Sequence, residues 1–375
     1  MKVARTVLRG GSDGNTVPLP DRREKSKIMK QITHDNHFVP QLYLRQWSDD
    51  GLSVWAYRLL VSHQKVPEWS PRSISKVAYL RDLYTLHENG EEVDDFERWI
   101  ESEFENPVQE SIRKILKDNP LSPLDWERLA CFLGAQDVRT PLSYLESAER
   151  WGKTLPELLK STLEKAIQKL EQKEVQAKSN QSSEYKSLSF DEILDIQTVS
   201  SSDSESGQAY IRAKMIAGRR LWLQSQELLL TKTIAALKSH KWCIVRPARG
   251  FQWFTSDHPV VKLNYYGQGN YDLKGGWGND GTNIFMPISP RHLLFTEIGR
   301  DIPNRLTFTT EQTRQFQSLI AERALRWIFA HAPMKIIPKL RPRHVDPEIF
   351  KREEEQWKNW HQRQTQAEQS DKKAA

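Results

Sequence analysis

The feature that most constrains the fold is a predicted helix at 123–140 whose buried face carries polar side chains. Ser122 is a good N-cap, and Pro141 ends the helix. Leucine and phenylalanine residues mark the inner face, and helical spacing places Gln136 and Arg139 on that same face. A buried charge without a partner is costly. The sequence therefore predicts that Arg139 has a partner inside the fold.

Glu103 is a candidate for that partner. The preceding predicted helix has an apolar stripe through Phe96, Trp99 and Ile100, and Glu103 follows at i+3 from Ile100 and i+4 from Trp99. An inward glutamate and an inward arginine on successive helices could meet. Pro107 predicts a kink or a break in this helix at residue 106.

The remaining pattern predicts an α+β fold, helix-dominated with a small, mainly antiparallel sheet. Alternating and β-branched stretches predict strands at 53–60, 79–86, 242–246, 252–256, 260–264, 283–288 and 292–297. Helical spacing predicts further helices at 142–174, 190–196, 208–240 and 309–329.

Charge and composition divide the chain into segments. Residues 1–31 are expected to be a disordered basic tail, since residues 1–30 account for five of the six net positive charges. A single domain is expected at 32–340 with a Ser- and Gln-rich excursion at 175–207, followed by an exposed charged helix and tail at 341–375. The basic tail at 1–31 is either a solvated segment or an arm that binds phosphate groups.

The composition argues against several protein classes. Thirteen Trp, thirteen Phe and ten Tyr predict an aromatic core. No apolar run is long enough to span a bilayer, and the first thirty residues lack a secretory pattern, so we expect a cytoplasmic protein without a membrane partner. The two cysteines stand apart from each other and from any zinc-type spacing, which argues against disulfides and thiolate zinc sites.

Two further polar residues are candidates for a site. Asp257 follows a predicted strand and precedes His258-Pro259, which would hold a carboxylate at the rim of a sheet, although an Asx-turn explains it equally well. His37 lies near His34 and Asp35, a grouping that suits metal ligands, and a capping or packing role is its alternative.

Four motifs in order resemble the bacterial family called domain of unknown function 4238. They are His37-Phe38-Val39-Pro40-Gln41-Leu42-Tyr43-Leu44-Arg45-Gln46-Trp47, Gln136-Asp137-Val138-Arg139-Thr140-Pro141, Thr255-Ser256-Asp257-His258-Pro259-Val260 and Pro287-Ile288-Ser289-Pro290. The resemblance covers about 33–329 and departs at Trp47 and His258, where Phe and Asn are common. The family name implies no activity.

The first functional hypothesis is a metal-dependent hydrolase acting on a phosphoester or nucleic acid. His37, Glu103 and Asp257 would hold Mn²⁺, Mg²⁺ or Zn²⁺, Arg139 would stabilise negative charge, and Gln136 would orient water or substrate. This assigns Glu103, Gln136, Arg139 and Asp257 to catalysis.

Two alternatives remain open. The same residues could form a non-enzymatic binding or sensing module for a small anionic ligand or a partner protein, with Arg139 as the anion-binding fork. Alternatively, Arg139 could be purely structural, paired with Glu103 or Asp257. Triphosphate-loop, dinucleotide-fold and serine-hydrolase motifs are absent from the sequence. The nearly neutral body weakens the case for nucleic acid, and the sequence does not indicate an oligomeric state.

Overall fold

The computed structural model describes residues 32–88, 90–174, 194–200, 209–215, 218–267 and 269–372. The predicted basic tail at 1–31 and most of the excursion at 175–207 lie outside these residues. The described residues from Thr33 onward belong to one compact unit. None of the described helices combines the length and the apolar character that crossing a membrane requires.

Eighteen strands lie in the described residues. They are β1 (Asp35–His37), β2 (Ser53–Arg58), β3 (Leu60–Val61), β4 (Trp69–Ser73), β5 (Tyr79–Arg81), β6 (Leu86–Glu88), β7 (Glu91–Val93), β8 (Leu194–Ser200), β9 (Ala209–Met215), β10 (Cys243–Arg246), β11 (Thr255–Ser256), β12 (Val261–Gly267), β13 (Asn270–Asp272), β14 (Asn283–Ser289), β15 (His292–Glu297), β16 (Arg305–Thr307), β17 (Trp327–Ala330) and β18 (His344–Val345).

Eleven α-helices lie in the same residues. They are α1 (Gln41–Leu44), α2 (Asp95–Ile100), α3 (Asn106–Leu116), α4 (Pro123–Val138), α5 (Pro141–Glu174), α6 (Arg219–Leu228), α7 (Ile234–Ser239), α8 (Thr310–Arg323), α9 (Ile337–Leu340), α10 (Pro347–Lys358) and α11 (Trp360–Lys372).

The prediction of one small sheet is wrong. In the described part of the chain a six-stranded sheet has the order β13-β12-β14-β15-β10-β16, and a four-stranded sheet has the order β11-β17-β2-β4. The six-stranded sheet is mixed, because β10 pairs with β16 in parallel and its other pairs are antiparallel. Four two-stranded ribbons accompany these sheets: β1-β5, β3-β18, β6-β7 and β8-β9. The fold therefore contains several sheets and is not helix-dominated.

Two predicted helices conceal the strands β9 and β17. The predicted helix at 208–240 is instead strand β9 followed by α6 and α7, and the predicted helix at 309–329 ends at Arg323 and is followed by β17. The helix predicted at 190–196 overlaps strand β8, and its first residues lie outside the described part. In each case a short apolar run is compatible with the residue spacing of a helix and with that of a strand.

The six-stranded sheet is buried on both faces. On β15, Leu293 and Phe295 belong to the apolar cluster around α8, whereas Leu294 between them belongs to the cluster around α3 and α4. On β14, Phe285 faces the first cluster, and Ile284 faces the second. Because successive side chains of a strand point to opposite faces, these nearly continuous apolar strands place the sheet between two helical layers.

Helix α4 begins and ends as its sequence predicts. Ser122 accepts a hydrogen bond from the Asp125 backbone, and the Asp125 carboxylate accepts one in return, which forms a capping box. Gln136 and Arg139 are fully buried, as the spacing predicts. The end of α4 is therefore a polar region inside the fold.

The helix before α4 is continuous through Pro107, and its middle differs from the prediction. Residues Glu101–Glu105 form a π-helical turn between α2 and α3. A π-turn inserts an extra residue into the helical repeat, so the inner face passes to Phe104 and Glu105. Glu103 is exposed. The prediction that Glu103 faces inward is therefore wrong.

Candidate functional site

Arg139 uses its guanidinium to join three segments of the fold. Its Nη1 donates to Glu105 Oε1 at 2.6 Å, Nη2 donates to the His37 carbonyl at 2.5 Å, and Nε donates to the Phe38 carbonyl at 3.1 Å. The Arg139 side chain is fully buried, and the Glu105 side chain is 15% exposed. The partner of Arg139 is thus Glu105, and its bonds leave no exposed fork for an anion.

A second carboxyl lies near the same guanidinium. Burial raises the pKa of Glu97 to about 8, against the attraction of Arg139 and with added repulsion from Glu105. Glu97 Oε2 is buried and has no hydrogen-bond partner among the described residues. One glutamate neutralises Arg139, and the other is held in its protonated form at neutral pH.

Hydrogen bonds connect all four sequence motifs. Arg139 binds the first motif, as described above. The Tyr43 hydroxyl donates to the Pro287 carbonyl at 2.6 Å and lies 2.7 Å from Thr255 Oγ1, and the Thr140 hydroxyl is hydrogen-bonded to His258 Nδ1. Tyr43, Thr140, Thr255 and His258 are fully or almost fully buried. This motif network positions α1, the end of α4 and both large sheets relative to one another.

Asp257 accepts three backbone hydrogen bonds. Its carboxylate receives the N–H groups of Leu325 at 2.9 Å, Arg326 at 2.6 Å and Trp327 at 3.0 Å. Burial raises the pKa of Asp257 to about 6, because the loss of hydration outweighs these donors. Asp257 therefore fixes the segment between α8 and β17, and most of its acceptor capacity is used.

The predicted metal ligands do not come together. The ligand atoms of His37, Glu103 and Asp257 are not within 4.8 Å of one another. His37 is half-buried, its Nε2 lies 3.5 Å from Gln41 Nε2, and its ring packs at 5.6 Å from Tyr79. Burial, with the nearby charge of Arg139, lowers the pKa of His37. These contacts are those of a packing histidine.

Unpaired polar atoms lie beside the motif network. Neither amide atom of Gln136 has a hydrogen-bond partner in the described residues, and the same is true of His258 Nε2 and Asp137 Oδ1. The His258 pKa is well below its usual value because of burial, with the charges of Arg323 and Lys262 adding to the effect. Buried polar atoms without partners are uncommon and often mark a place for water or a ligand.

Asp137 lines an open cavity of about 590 Å³ between α4, α5 and the strand β12. Its Oδ2 accepts from Lys262 Nζ at 2.7 Å and from Trp277 Nε1 at 2.8 Å, whereas its Oδ1 is buried and has no hydrogen-bond partner within the described residues. The remaining charged side chains of this Asp137 cavity are Glu146, Glu149, Arg150, Lys153, Lys274 and Arg323. In the sequence, Asp137 is marked only as a member of the second motif, since no local pattern identifies its unpaired oxygen.

A second cavity is strongly basic. It has a volume of about 830 Å³, and we call it the basic cavity. Its charged lining is Arg246, Arg249, Arg291, Arg314 and Lys335. No acidic side chain is among its lining residues. Arg246 pairs with Asp118, whereas no ion pair of the other four is found within the described residues.

The basic cavity has no signature in the sequence because its cations come from distant segments. Arg246 is the last residue of β10, and Arg249 lies in the loop between β10 and β11. Arg291 lies in the turn between β14 and β15, Arg314 on α8, and Lys335 after β17. Each is an isolated charge in the sequence, and only the fold brings them together.

Comparison with known proteins identifies a family and no activity. The model of the family "Protein of unknown function (DUF4238)" matches residues 35–333, and the chain belongs to this family. No curated protein and no solved structure matches the chain. The match includes the motif network, the Asp137 cavity and all of the basic cavity except its last three lining residues, Met334, Lys335 and Ile336.

Proposed function

We propose that this DUF4238 protein binds a small phosphorylated ligand in the basic cavity. The observation that supports the proposal is the charge of the lining, which has five cationic side chains and no acidic one. The chain outside residues 1–30 has a net charge of only about +1, so this concentration of positive charge is local. A cluster of cationic side chains without acidic neighbours attracts and orients anionic ligands.

The cavity also has the size and the apolar surface of a small-molecule site. Its volume of about 830 Å³ lies in the range of about 300–1,000 Å³ typical of ligand pockets. Phe251, Met334 and Ile336 line it, and the Arg314 guanidinium lies 5.6 Å from the centre of the Phe251 ring. A ligand that combines phosphate with an apolar or aromatic portion matches both parts of this wall.

Phosphate fits the cations better than a single carboxylate does. Arginine presents N–H donors in a planar fork that matches phosphate oxygens, and four of the five cations are arginines. Arg249, Arg291, Arg314 and Lys335 are exposed, so a ligand can reach them without unfolding a segment. A hydrolase centre formed by His37, Glu103 and Asp257 has less support, since Glu103 is exposed and Asp257 holds backbone N–H groups.

Thermal melting with a panel of anions tests the proposal. The panel contains inorganic phosphate, pyrophosphate, adenosine monophosphate, a short single-stranded oligonucleotide and an aliphatic dicarboxylate. A ligand at about one hundred times its dissociation constant stabilises a protein by about 2.7 kcal/mol. We expect the phosphorylated small molecules to raise the melting temperature and the dicarboxylate to have a smaller effect. Stabilisation by the oligonucleotide alone would instead identify a nucleic-acid surface.

Matched charge variants locate the binding. Arg249→Gln with Arg291→Gln removes two exposed cations of the basic cavity, and Lys351→Gln with Arg352→Gln removes two exposed cations of α10. We expect the first pair to weaken phosphate binding roughly tenfold or more and the second pair to leave it nearly unchanged. If both pairs of substitutions weakened phosphate binding equally, the binding would depend only on the overall charge, and the proposal would be refuted.

A second candidate function, hydrolysis, is favoured by one observation at the Asp137 cavity. A buried carboxylate with one oxygen fixed by Lys262 and Trp277 and the other oxygen unpaired is suited to accept a proton from a bound water or hydroxyl group. Phosphoester turnover that Asp137→Asn abolishes, while Asp272→Asn leaves it intact, would support hydrolysis. Unchanged turnover in Asp137→Asn would remove this candidate.

A further inference from the structure

Three possible metal ligands lie outside the sites described above. They are His87 on β6, Glu92 on β7 and His361 on α11, and their ligand atoms lie within 4.8 Å of one another. No other group of three or more such side chains occurs within the described residues. We propose that His87, Glu92 and His361 bind a zinc ion and thereby fasten α11 to the β6-β7 ribbon.

The two distances from Glu92 to the histidines are close to those of tetrahedral coordination. With zinc bonds of about 2.0–2.1 Å, neighbouring ligand atoms lie about 3.3 Å apart. Glu92 Oε1 lies 3.3 Å from His361 Nε2 and 3.7 Å from His87 Nε2. Small side-chain rotations would complete the geometry. Two histidines and a glutamate are a known zinc ligand set with one open coordination position.

The backbone places these ligands before any ion binds. His87 and Glu92 are directly opposite in the antiparallel pair β6-β7, so their side chains leave the same face of the ribbon. His361 is in the first turn of α11, next to Trp360, which is buried and packs edge-on against Tyr144 at 4.6 Å. A preformed arrangement lowers the entropic cost of binding the ion.

The ring nitrogens of His87 are available to bind an ion. Neither ring nitrogen of His87 forms a hydrogen bond within the described part of the chain, and its Nδ1 is buried. The side chains of His87, Glu92 and His361 are 24%, 30% and 22% exposed, so an ion can enter from solvent. An imidazole that is half-buried and unpaired is well suited to donate its lone pair to a metal.

Arg219 is the one competing contact. Its Nη1 lies 2.9 Å from His361 Nδ1, and the same atom is 3.3 Å from the Asp82 carbonyl. Zinc at Nε2 shifts the ring proton to Nδ1, so Nη1 must give up that contact and keep the bond to Asp82. The other two guanidinium nitrogens remain paired with the Glu368 carboxylate at 3.1 and 2.8 Å, which keeps Arg219 satisfied.

The proposed site links two parts of the chain that differ in their family relation. His87 and Glu92 lie inside the family match at 35–333, and His361 lies outside it. A zinc ion there would join the family domain to helix α11. The inference is independent of anion binding in the basic cavity, which shares no residue with it.

Zinc titration of the full chain, free of any polyhistidine tag, tests the proposal. We expect calorimetry to give one zinc per chain. We expect Co²⁺ at the same site to give the visible absorption of a four-coordinate ion, which Zn²⁺ abolishes by displacement. The variants His87→Gln and Glu92→Gln should each weaken zinc binding roughly tenfold or more, since each removes a ligand.

A matched control is His344→Gln. His344 is exposed and lies 3.7 Å from the Asp346 carboxylate, so it forms a histidine–carboxylate pair with no third ligand. Its substitution should leave the affinity unchanged. His361→Gln also removes a contact to buried Arg219, so far-UV circular dichroism must accompany it, whereas Glu92→Gln removes no hydrogen bond. Absence of zinc binding would overturn the proposal, and so would a zinc affinity in Glu92→Gln and His87→Gln that equals the affinity of the unsubstituted chain.

Discussion

Replacing Glu105 by glutamine tests the central ion pair of the fold. Breaking a fully buried pair by removing one partner costs about 3–5 kcal/mol, and an exposed pair contributes about 0.2–1 kcal/mol. The Arg139 side chain is fully buried and the Glu105 side chain is 15% exposed, which is close to the buried limit. We therefore expect Glu105→Gln to lower the free energy of unfolding by about 2–4 kcal/mol.

The same helix provides the control. Glu103→Gln makes the identical chemical change two residues away, where the side chain is exposed. We expect it to change the free energy of unfolding by less than about 0.5 kcal/mol. Urea unfolding followed by tryptophan fluorescence measures both variants at pH 6, which is below the pKa of about 8 that Glu97 has in the unsubstituted chain.

The outcome separates two arrangements of the helix. A continuous α-helix would direct Glu103 inward, whereas the π-turn directs Glu105 inward. A loss of stability in Glu103→Gln that equals or exceeds the loss in Glu105→Gln would refute the π-turn and the assigned partner. A double-mutant cycle of Glu105→Gln with Arg139→Gln should also give a coupling energy of about 1 kcal/mol or more, and a coupling near zero would contradict direct contact.

Three further substitutions test other buried groups. Tyr43→Phe should lower the free energy of unfolding by about 1–3 kcal/mol, because it leaves the buried Pro287 carbonyl without its hydrogen-bond donor. An unchanged unfolding midpoint would contradict a stabilising role of the motif network. Asp257→Asn should lower the free energy of unfolding by about 2–4 kcal/mol, since one amide oxygen replaces a carboxylate that accepts three N–H groups. As a control, Asp301→Asn at an exposed position should leave the free energy of unfolding nearly unchanged. Burial holds the Glu97 pKa near 8 in the folded protein against an ordinary value of 4.5, so its contribution to stability is complete below pH 4.5 and is lost as the pH rises to 8. Glu97→Gln should remove that pH dependence in unfolding curves, and an unchanged dependence would assign it to another group.

The sequence predicts the parts of the fold that depend on local signals. The capping residues Ser122 and Thr309 mark the starts of α4 and α8. Alternation marks β2, and two short apolar runs joined by Ser289-Pro290 mark β14 and β15. Burial of Gln136 and Arg139 follows from helical spacing. These features need no knowledge of distant contacts.

The errors arise where one pattern fits two structures. The four apolar residues of β17 continue the apolar character of α8, and only tertiary pairing with β2 and β11 makes them a strand. The π-turn at Glu101–Glu105 changes the inner face of a helix whose composition does not mark it. Helical spacing therefore predicts the buried position of Arg139 but does not identify Glu105 as its partner.

The sequence alone predicts neither the basic cavity nor the proposed zinc site. The basic cavity collects single charges from segments between Arg246 and Lys335, and the proposed zinc site joins residues more than 250 positions apart. Neither produces a local motif. The family resemblance, in contrast, depends on four motifs in a fixed order. The hydrogen bonds among these motifs stabilise the fold.

Locating a bound phosphate analogue tests the proposed anion binding most directly. Crystals soaked with tungstate, whose metal scatters anomalously, would show where a tetrahedral dianion binds. Binding in the basic cavity predicts an anomalous peak within hydrogen-bond reach of at least two of the exposed cations Arg249, Arg291, Arg314 and Lys335. An empty basic cavity together with a peak in the Asp137 cavity, or with no peak at all, would contradict it.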